Sequence, residues 1–382
     1  MKIVIAIDSY KGSLSSLQAG EAARRGVLRA CPEAEVTELP LADGGEGTMD
    51  TLVAALGGHI CKKMVQGPLQ RKVEAKYGLA EGDTLAVIEM AQAAGLPLLR
   101  PEERNPLQAT TYGLGELIAA AYAQGARHFL IGIGGSATND AGAGMLQALG
   151  VQLMDSQGRQ LPWGGAALAD LASIEEGPLL PRLRQECQFE IACDVENPLC
   201  GSQGASMVYG PQKGASPAEV AVLEKALSHF ADGTARYLSK DLRQQPGSGA
   251  AGGLGFAFTA FLDGRLRRGV ELVLDVLHMQ EVLAKADVVL TGEGRMDGQT
   301  AMGKAPAGVA ARAGEHAVVV GLAGCLGQGI EACHGAGIHA CFAIPEGPLT
   351  LEEAMAPERA AQNLARQAEE VVRLICAVKE NR

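Results

Sequence analysis

Apolar runs of strand length alternate along this chain with stretches of helical periodicity, and glycine-rich turns separate them. Ile3 to Ile7 is a continuous, largely β-branched run, which suits a strand buried on both faces. A helix from about Ser16 to Ala30 and a strand from Glu35 to Leu39 follow. Near the far end, Val288 to Leu290, Ala317 to Val320 and Ala340 to Ile344 repeat the strand signal. Helices fall between them, one from roughly Lys304 to Ala313, and a closing helix runs from about Pro357 to Val378. Such alternation predicts an α/β protein with a parallel sheet.

The middle of the chain has another texture. Val65 to Gly67, Val73 to Gly78 and Thr84 to Met90 read as antiparallel strands separated by Gly-Pro and Glu-Gly-Asp turns. Phe129 to Ile133 then leads into a helix, Ala141 to Leu149, and Phe189 to Ala192 forms a further strand. At 382 residues the chain exceeds one ordinary core. The pattern predicts a doubly wound parallel-sheet domain made by residues 1–62 and 285–382, with a mixed α/β domain inserted over 63–284. In such architectures ligands bind at the carboxyl ends of the strands.

Composition narrows the function. Apolar residues at 47% and charged residues at 20% describe a globular protein. A net charge of −11 argues against nucleic acid or an anionic membrane as the partner, since both call for a basic surface. No apolar run approaches the roughly 20 residues of a membrane span, and Asp8 cuts the first one too short for a signal peptide. A cytoplasmic location is expected. The nine cysteines form no C-x-x-C pair, as befits thiols in a reducing compartment. Cys325, Cys333, His334, His339 and Cys341 cluster in sequence, but their spacing matches no structural zinc module.

The candidate chemistry lies in glycine-rich loops that follow strands. Leu290-Thr-Gly-Glu-Gly-Arg-Met-Asp-Gly-Gln-Thr-Ala-Met-Gly-Lys304 carries Glu293, Arg295, Asp297 and Lys304 on what reads as a turn. Carboxylates for a metal, cations for anionic oxygens and glycines that expose N–H groups suit phosphate chemistry. Gly298-x-x-x-x-Gly303-Lys304 nearly makes a P-loop, but Ala305 stands where that motif needs a magnesium-holding Ser or Thr. Asp8 and Lys11 follow the first strand; Asp8 or Ser13 could equally cap the next helix. Asp43 and Glu46 lie among glycines after the second strand, Glu46 also being placed for a helix's first turn.

Gly134, Gly135, Ser136 and Asn139 form a loop before a helix and suit an anion at its N-terminus. Asp140 reads as a magnesium ligand or as an N-terminal helix acid. Gly132-x-Gly134-x-x-Ala137, with Asp155 further on, also imitates a dinucleotide fingerprint, which keeps an NAD-dependent hydroxy-acid dehydrogenase as an alternative. Asp194 and Asn197 follow another strand, where Asn197-Pro198 could be turn chemistry. Lys213 sits in a glycine-flanked loop that could line an anion pocket or simply connect. The seven histidines are scattered outside these loops, which disfavours histidine-based acid/base chemistry.

Taken in order, these segments resemble the glycerate kinase family of the bacterial glycerate-utilisation type. The resemblance rests on Asp8-Ser-Tyr-Lys-Gly-Ser13, Ala42-Asp-Gly-Gly-Glu-Gly-Thr48, Asn105-Pro-Leu-Gln-Ala-Thr-Thr-Tyr-Gly113 and Gly132-Ile-Gly-Gly-Ser-Ala-Thr-Asn-Asp-Ala-Gly142. It continues through Cys193-Asp-Val-Glu-Asn-Pro-Leu199, Gly210-Pro-Gln-Lys-Gly214, Gly249-Ala-Ala-Gly-Gly253 and Thr291 to Lys304. The resemblance implies a flavodoxin-like domain with an inserted domain enclosing a cleft, and ATP-dependent phosphorylation of D-glycerate. The expected product is 2-phosphoglycerate, with a 3-phosphate-forming enzyme as the alternative.

On that basis Asp194 or Asp43 is expected to accept the hydroxyl proton, with Asp8 and Lys11 beside the reacting groups. Glu293 and Asp297 are the preferred Mg2+ ligands, with Asp140 a further candidate. Lys11, Arg295 and Lys304 would pair with phosphate oxygens or the glycerate carboxylate. The loop from Gly134 to Asn139 would offer backbone donors, and Glu46, Asn197 and Lys213 complete the binding set. ATP and D-glycerate are the expected small-molecule partners of a monomer or homodimer.

Overall fold

The computed structural model describes residues 1–42 and 44–380. Its strands are β1 Lys2–Ile7, β2 Glu35–Glu38, β3 His59–Gln66, β4 Lys72–Ala80, β5 Leu85–Glu89, β6 His128–Gly132 and β7 Gln152–Met154. They continue with β8 Ser173–Glu175, β9 Gln188–Ala192, β10 Arg265–Arg267, β11 Val288–Met296, β12 Val318–Leu326 and β13 Ala340–Ala343. The chain divides into two compact units, Met1–Asp43 with Val270–Arg382, and Gly44–Gly269. The sequence pattern placed these divisions at 62/63 and 284/285. Helix α2, Thr48–Ala55, draws the first division earlier because it packs on β4 and β5 of the second unit.

The first unit is a five-stranded sheet in the order β13-β12-β11-β1-β2, parallel throughout. The alternating pattern predicts a doubly wound sheet, and this order is the flavodoxin-like one that the family resemblance implies. Side chains alternate across β1: Ile3, Ile5 and Ile7 join one core, while Val4 and Ala6 join the other. Helix α1, Ser16–Ala30, packs against the closing helix Pro357–Glu380 through Ala19, Ala22, Ala23 and Val27 on one side and Leu364, Ala368 and Val372 on the other. A Cβ on Gly26 would stand 1.9 Å from the Ala365 carbonyl oxygen, so only glycine permits this approach. Ser15, rather than Asp8 or Ser13, caps α1, in a capping box with Gln18.

Two expectations change here. The turn from Gly292 to Met296 is strand: β11 runs on to Met296 and pairs with β12 in register to Leu326. Glycines make this possible, because a Cβ on Gly292 would meet the Leu322 carbonyl oxygen at 1.9 Å. The helix expected from Lys304 shortens to Ala305–Ala310.

The second unit carries a six-stranded sheet, β10-β9-β6-β5-β4-β3, and a small β7-β8 hairpin. The antiparallel reading holds for β3, β4 and the β4–β5 pair, whereas β5, β6, β9 and β10 are mutually parallel. Thr84 to Met90 is therefore the hinge of a mixed sheet and sends its carboxyl end to the same edge as β6 and β9. Phe129, Phe189 and Phe258 stack through the core, with ring centroids 4.8 and 6.3 Å apart. The helix expected from Ala141 begins at Ala143, because Ala141 and Gly142 both adopt positive φ.

Candidate functional site

In the first unit the strand order reverses between β1 and β11, which opens the carboxyl edge of the sheet there. Asp8 stands at the end of β1, only 6% exposed, and its Oδ1 accepts the Ser9 N–H at 2.7 Å. Lys11 follows on the surface. Tyr10 is fixed between the strands by donating to the Leu322 carbonyl oxygen at 2.9 Å. Burial, followed by the nearby Glu293 and Asp8 charges, drives its phenol far above the ordinary range, so it stays protonated.

The neighbouring β11 presents Glu293. Its Oε1 accepts the Thr300 hydroxyl at 2.6 Å, and its Oε2 lies 3.7 Å from Lys304 Nζ. Burial raises the Glu293 carboxyl above its ordinary value; Thr300, Lys304 and Lys11 oppose the shift, and Asp297 adds to it. Asp297 Oδ2 faces Arg295 Nε at 3.2 Å, and Oδ1 accepts the Gln299 N–H at 3.0 Å. The Asp297 N–H in turn donates to Thr300 Oγ1 at 3.1 Å. A single hydroxyl thus ties the two carboxylate positions together. Beside them opens a cavity of about 530 Å3 lined by Arg295, Asp297, Gly298, Gln299, Lys304 and Gln328.

In the second unit, the carboxyl ends of β5, β6 and β9 bring together three loops. Gly44 fits so closely that a Cβ would stand 2.5 Å from Ala192 Cβ, and a Cβ on Gly132 would stand 2.4 Å from the Gly44 carbonyl oxygen. The exposed Glu46 therefore lies on the same edge as Gly134, Gly135 and Asp194, all three exposed. Asp194 Oδ1 accepts the Gly269 N–H at 3.1 Å. Asp43, the alternative proton acceptor, lies outside the described residues.

Other candidates are built into the fold. Asp140 is fully buried and takes the Thr111 N–H at 2.8 Å, the Thr111 hydroxyl at 2.9 Å, Gly142 N–H at 3.1 Å and Gly144 N–H at 3.2 Å. Lys213, 2% exposed, donates to Ser136 Oγ at 2.8 Å and to the Thr138 carbonyl oxygen at 2.7 Å. Desolvation brings its ammonium down to about 7, with the Asp140 charge opposing the shift. Asn139 is buried, with its amide donating to Ser206 Oγ at 2.9 Å. Asn197 donates to the Gln203 carbonyl oxygen at 2.8 Å and accepts the Tyr209 hydroxyl at 2.7 Å. Asp140 and Lys213 thus brace the loops, and their geometry gives no support to a ligand-facing reading, whereas Asn139 keeps a buried Oδ1 without a partner and Asn197 is half-buried. Among the described residues, no three His, Cys, Asp or Glu side chains gather as a metal cage.

Thr300 and Glu89 escaped the sequence reading. Thr300 looked like an ordinary turn residue. Glu89 sits inside the apolar run Leu85–Met90, and the readable signal was a lone acid ending a buried strand. The dinucleotide reading fails on its partner: Asp155 is tied into a surface turn, 2.8 Å from Arg159, after a three-residue strand.

Comparison with known proteins agrees with the geometry. Residues 3–376 match the glycerate kinase family. A Bacillus subtilis (strain 168) glycerate kinase is 47% identical over 380 residues, covering 99% of each chain. An Escherichia coli (strain K12) glycerate 2-kinase is 44% identical over 371 residues, covering 96% of this chain and 97% of that one. A crystal structure from Salmonella typhimurium LT2 described as a glycerate kinase 2 superposes with a TM-score of 0.91 at 47% identity, over 100% of this chain and 99% of that one. With one parallel and one mixed sheet whose carboxyl edges carry the acidic loops, and with this match along nearly its whole length, the chain belongs to the glycerate kinase family.

Proposed function

We propose that the protein transfers the γ-phosphoryl group of ATP to the 2-hydroxyl of D-glycerate, giving 2-phosphoglycerate. The observation that carries this reading is the Glu293–Thr300–Asp297 constellation beside a cavity with Arg295 and Lys304 on its wall. Phosphoryl transfer needs charge neutralisation and in-line positioning more than covalent chemistry, and that is what this inventory offers. Arg295 and Lys304 would pair with phosphate oxygens, and Lys11 with these or with the glycerate carboxylate.

Mg2+ is normally held by one or two carboxylates and by the substrate's own phosphates. Glu293 fits that role best, since its Oε2 faces an ammonium 3.7 Å away that a phosphate-bound cation can displace. Asp297 is engaged on both oxygens and would serve by steadying Arg295 and Thr300. When bound, the cation would neutralise the charge on the transferring phosphate. Asp194 would take or orient the hydroxyl proton. Gly134 and Gly135 would offer N–H groups to the acid, with Glu46 beside them. The same reading has a cytoplasmic enzyme, monomeric or homodimeric, acting on small molecules; sedimentation of the purified protein decides between the two states.

The test is turnover with ATP, Mg2+ and D-glycerate, following ADP release and identifying the product by NMR. The phosphorus–proton coupling distinguishes the 2-phosphate from the 3-phosphate. Silence with D-glycerate, L-glycerate and related hydroxy acids would sink the kinase reading. The roles given to Asp194 and Glu293 fail if Asp194→Asn and Glu293→Gln each leave turnover within a few-fold of the parent.

A further inference from the structure

We propose that Glu89 is a positioning residue for the acidic loop of the second unit: it caps α2 from a neighbouring strand and thereby fixes where Glu46 stands. The kinetic part of this inference rests on the reaction proposed above.

The starting point is a helix that cannot cap itself. The N-cap of α2 is Gly47, with φ +88, a conformation that favours glycine and leaves no side chain to accept the first free N–H groups. One of them, on Thr48, reaches the Gly45 carbonyl oxygen at 3.3 Å. The next, on Met49, is taken by Glu89 Oε1 at 2.9 Å. Glu89 is 5% exposed and ends β5, whose neighbours β4 and β6 fix its backbone. An acceptor on a rigid strand therefore replaces the missing cap, and its negative end matches the helix dipole.

What this cap holds is the loop Gly44 to Gly47. Gly44 is pressed on Ala192 and on Gly269, and Gly45 lies beside Gly134. These are the backbone neighbours of Asp194 and of the Gly134–Gly135 turn. Withdrawing the Glu89 acceptor frees the helix end of that loop while the other contacts remain. Glu46 then loses its fixed place without itself being altered. Because the bond runs from the Met49 backbone N–H to a single oxygen, an amide oxygen at the same place can accept it equally.

The experiment compares Glu89→Ala, Glu89→Gln and Val53→Ala, all below their melting transitions. Val53 is a buried α2 residue away from the cap, so its truncation weakens the helix with the cap intact. The expected result for Glu89→Ala is a fall of tenfold or more in kcat/KM for D-glycerate, with the KM for ATP within twofold. Glu89→Gln should stay within threefold of the parent, and Val53→Ala within twofold. Hydrogen exchange of the peptide spanning residues 44–55 should quicken in Glu89→Ala and not in Glu89→Gln. Parent-like kinetics and exchange in Glu89→Ala would overturn the proposal. So would a Glu89→Gln enzyme as damaged as Glu89→Ala, or equal kinetic damage in Val53→Ala. Should Glu89→Ala not fold, Glu89→Asp, which withdraws the oxygen by one methylene, takes its place. If the parent itself does not phosphorylate D-glycerate, the reaction is wrong and the exchange comparison alone decides the positioning role.

Discussion

Asp140 separates a structural carboxylate from a metal-binding one, and the two readings predict opposite results. Its two oxygens receive hydrogen bonds from Thr111 N–H, Thr111 Oγ1, Gly142 N–H and Gly144 N–H inside a fully buried site. Burial pushes its carboxyl up while those bonds pull it down. Asp140→Ala leaves all of these buried donors without an acceptor, at about 1–3 kcal/mol each. Relief from burying a carboxylate offsets part of that, so a loss of roughly 4 kcal/mol is expected, a large share of a typical 5–15. Asp140→Asn is gentler. An amide oxygen at Oδ2 keeps the Thr111 and Gly144 bonds, while the NH2 group faces the Gly142 N–H, for a loss of about 1–3 kcal/mol. Trp163, the single tryptophan of the chain, lies 4.6 Å from the ring of Tyr112, next to Thr111. Its fluorescence during urea unfolding therefore reports this region rather than the other unit. The expected result is a lower urea midpoint for Asp140→Asn with an unchanged Mg2+ requirement in the glycerate assay. An unmoved midpoint with a several-fold higher Mg2+ requirement would refute the structural assignment and restore Asp140 as a ligand.

Two further outcomes are expected. Thr300→Ala removes the hydroxyl shared by Glu293 Oε1 and the Asp297 N–H, so turnover should fall about 10–100-fold with a raised Mg2+ requirement, as for outer-shell partners of a metal ligand; titrating Mg2+ against initial rate checks it, and an unchanged requirement counts against Glu293 as the ligand. Lys213 carries a pH signature: its ammonium is held down to about 7 in the fold, against an ordinary value of 10.5. The unfolded chain keeps the proton through that window, so this group's contribution to stability is fullest above 10.5 and is lost as pH falls towards 7. The slope should reach at most about 1.4 kcal/mol per pH unit between them. Urea unfolding of the parent and of Lys213→Met at several pH values should show this slope in the parent alone, and parallel curves would contradict it.

What the sequence reveals follows from which forces act locally. The doubly wound domain was legible because Ile3 to Ile7 and Val288 to Leu290 are buried on both faces, and a strand of that kind cannot avoid a continuous apolar run. The strand continuation from Gly292 to Met296 was not legible, because glycines there serve close packing against β12, and in sequence they look like turn glycines. The same ambiguity governs the site. Glu293, Arg295, Asp297 and Lys304 declared themselves as charges among glycines, and they do gather around one hydroxyl and one cavity. Asp140 and Lys213 carry the same signature and are buried braces, since a strained loop with Ala141 at φ +49 and Gly142 at φ +72 needs acceptors and donors for its own backbone. A charge beside glycines therefore reports unsatisfied backbone groups, whether they belong to a ligand or to the loop itself. Burial decides between the two: exposed Asp194 and Glu46 can meet a substrate, while Asp140 already has its full set of partners. Glu89 shows the reverse error, a functional carboxylate hidden because its neighbours in sequence are apolar and its partners lie forty residues earlier, on Met49.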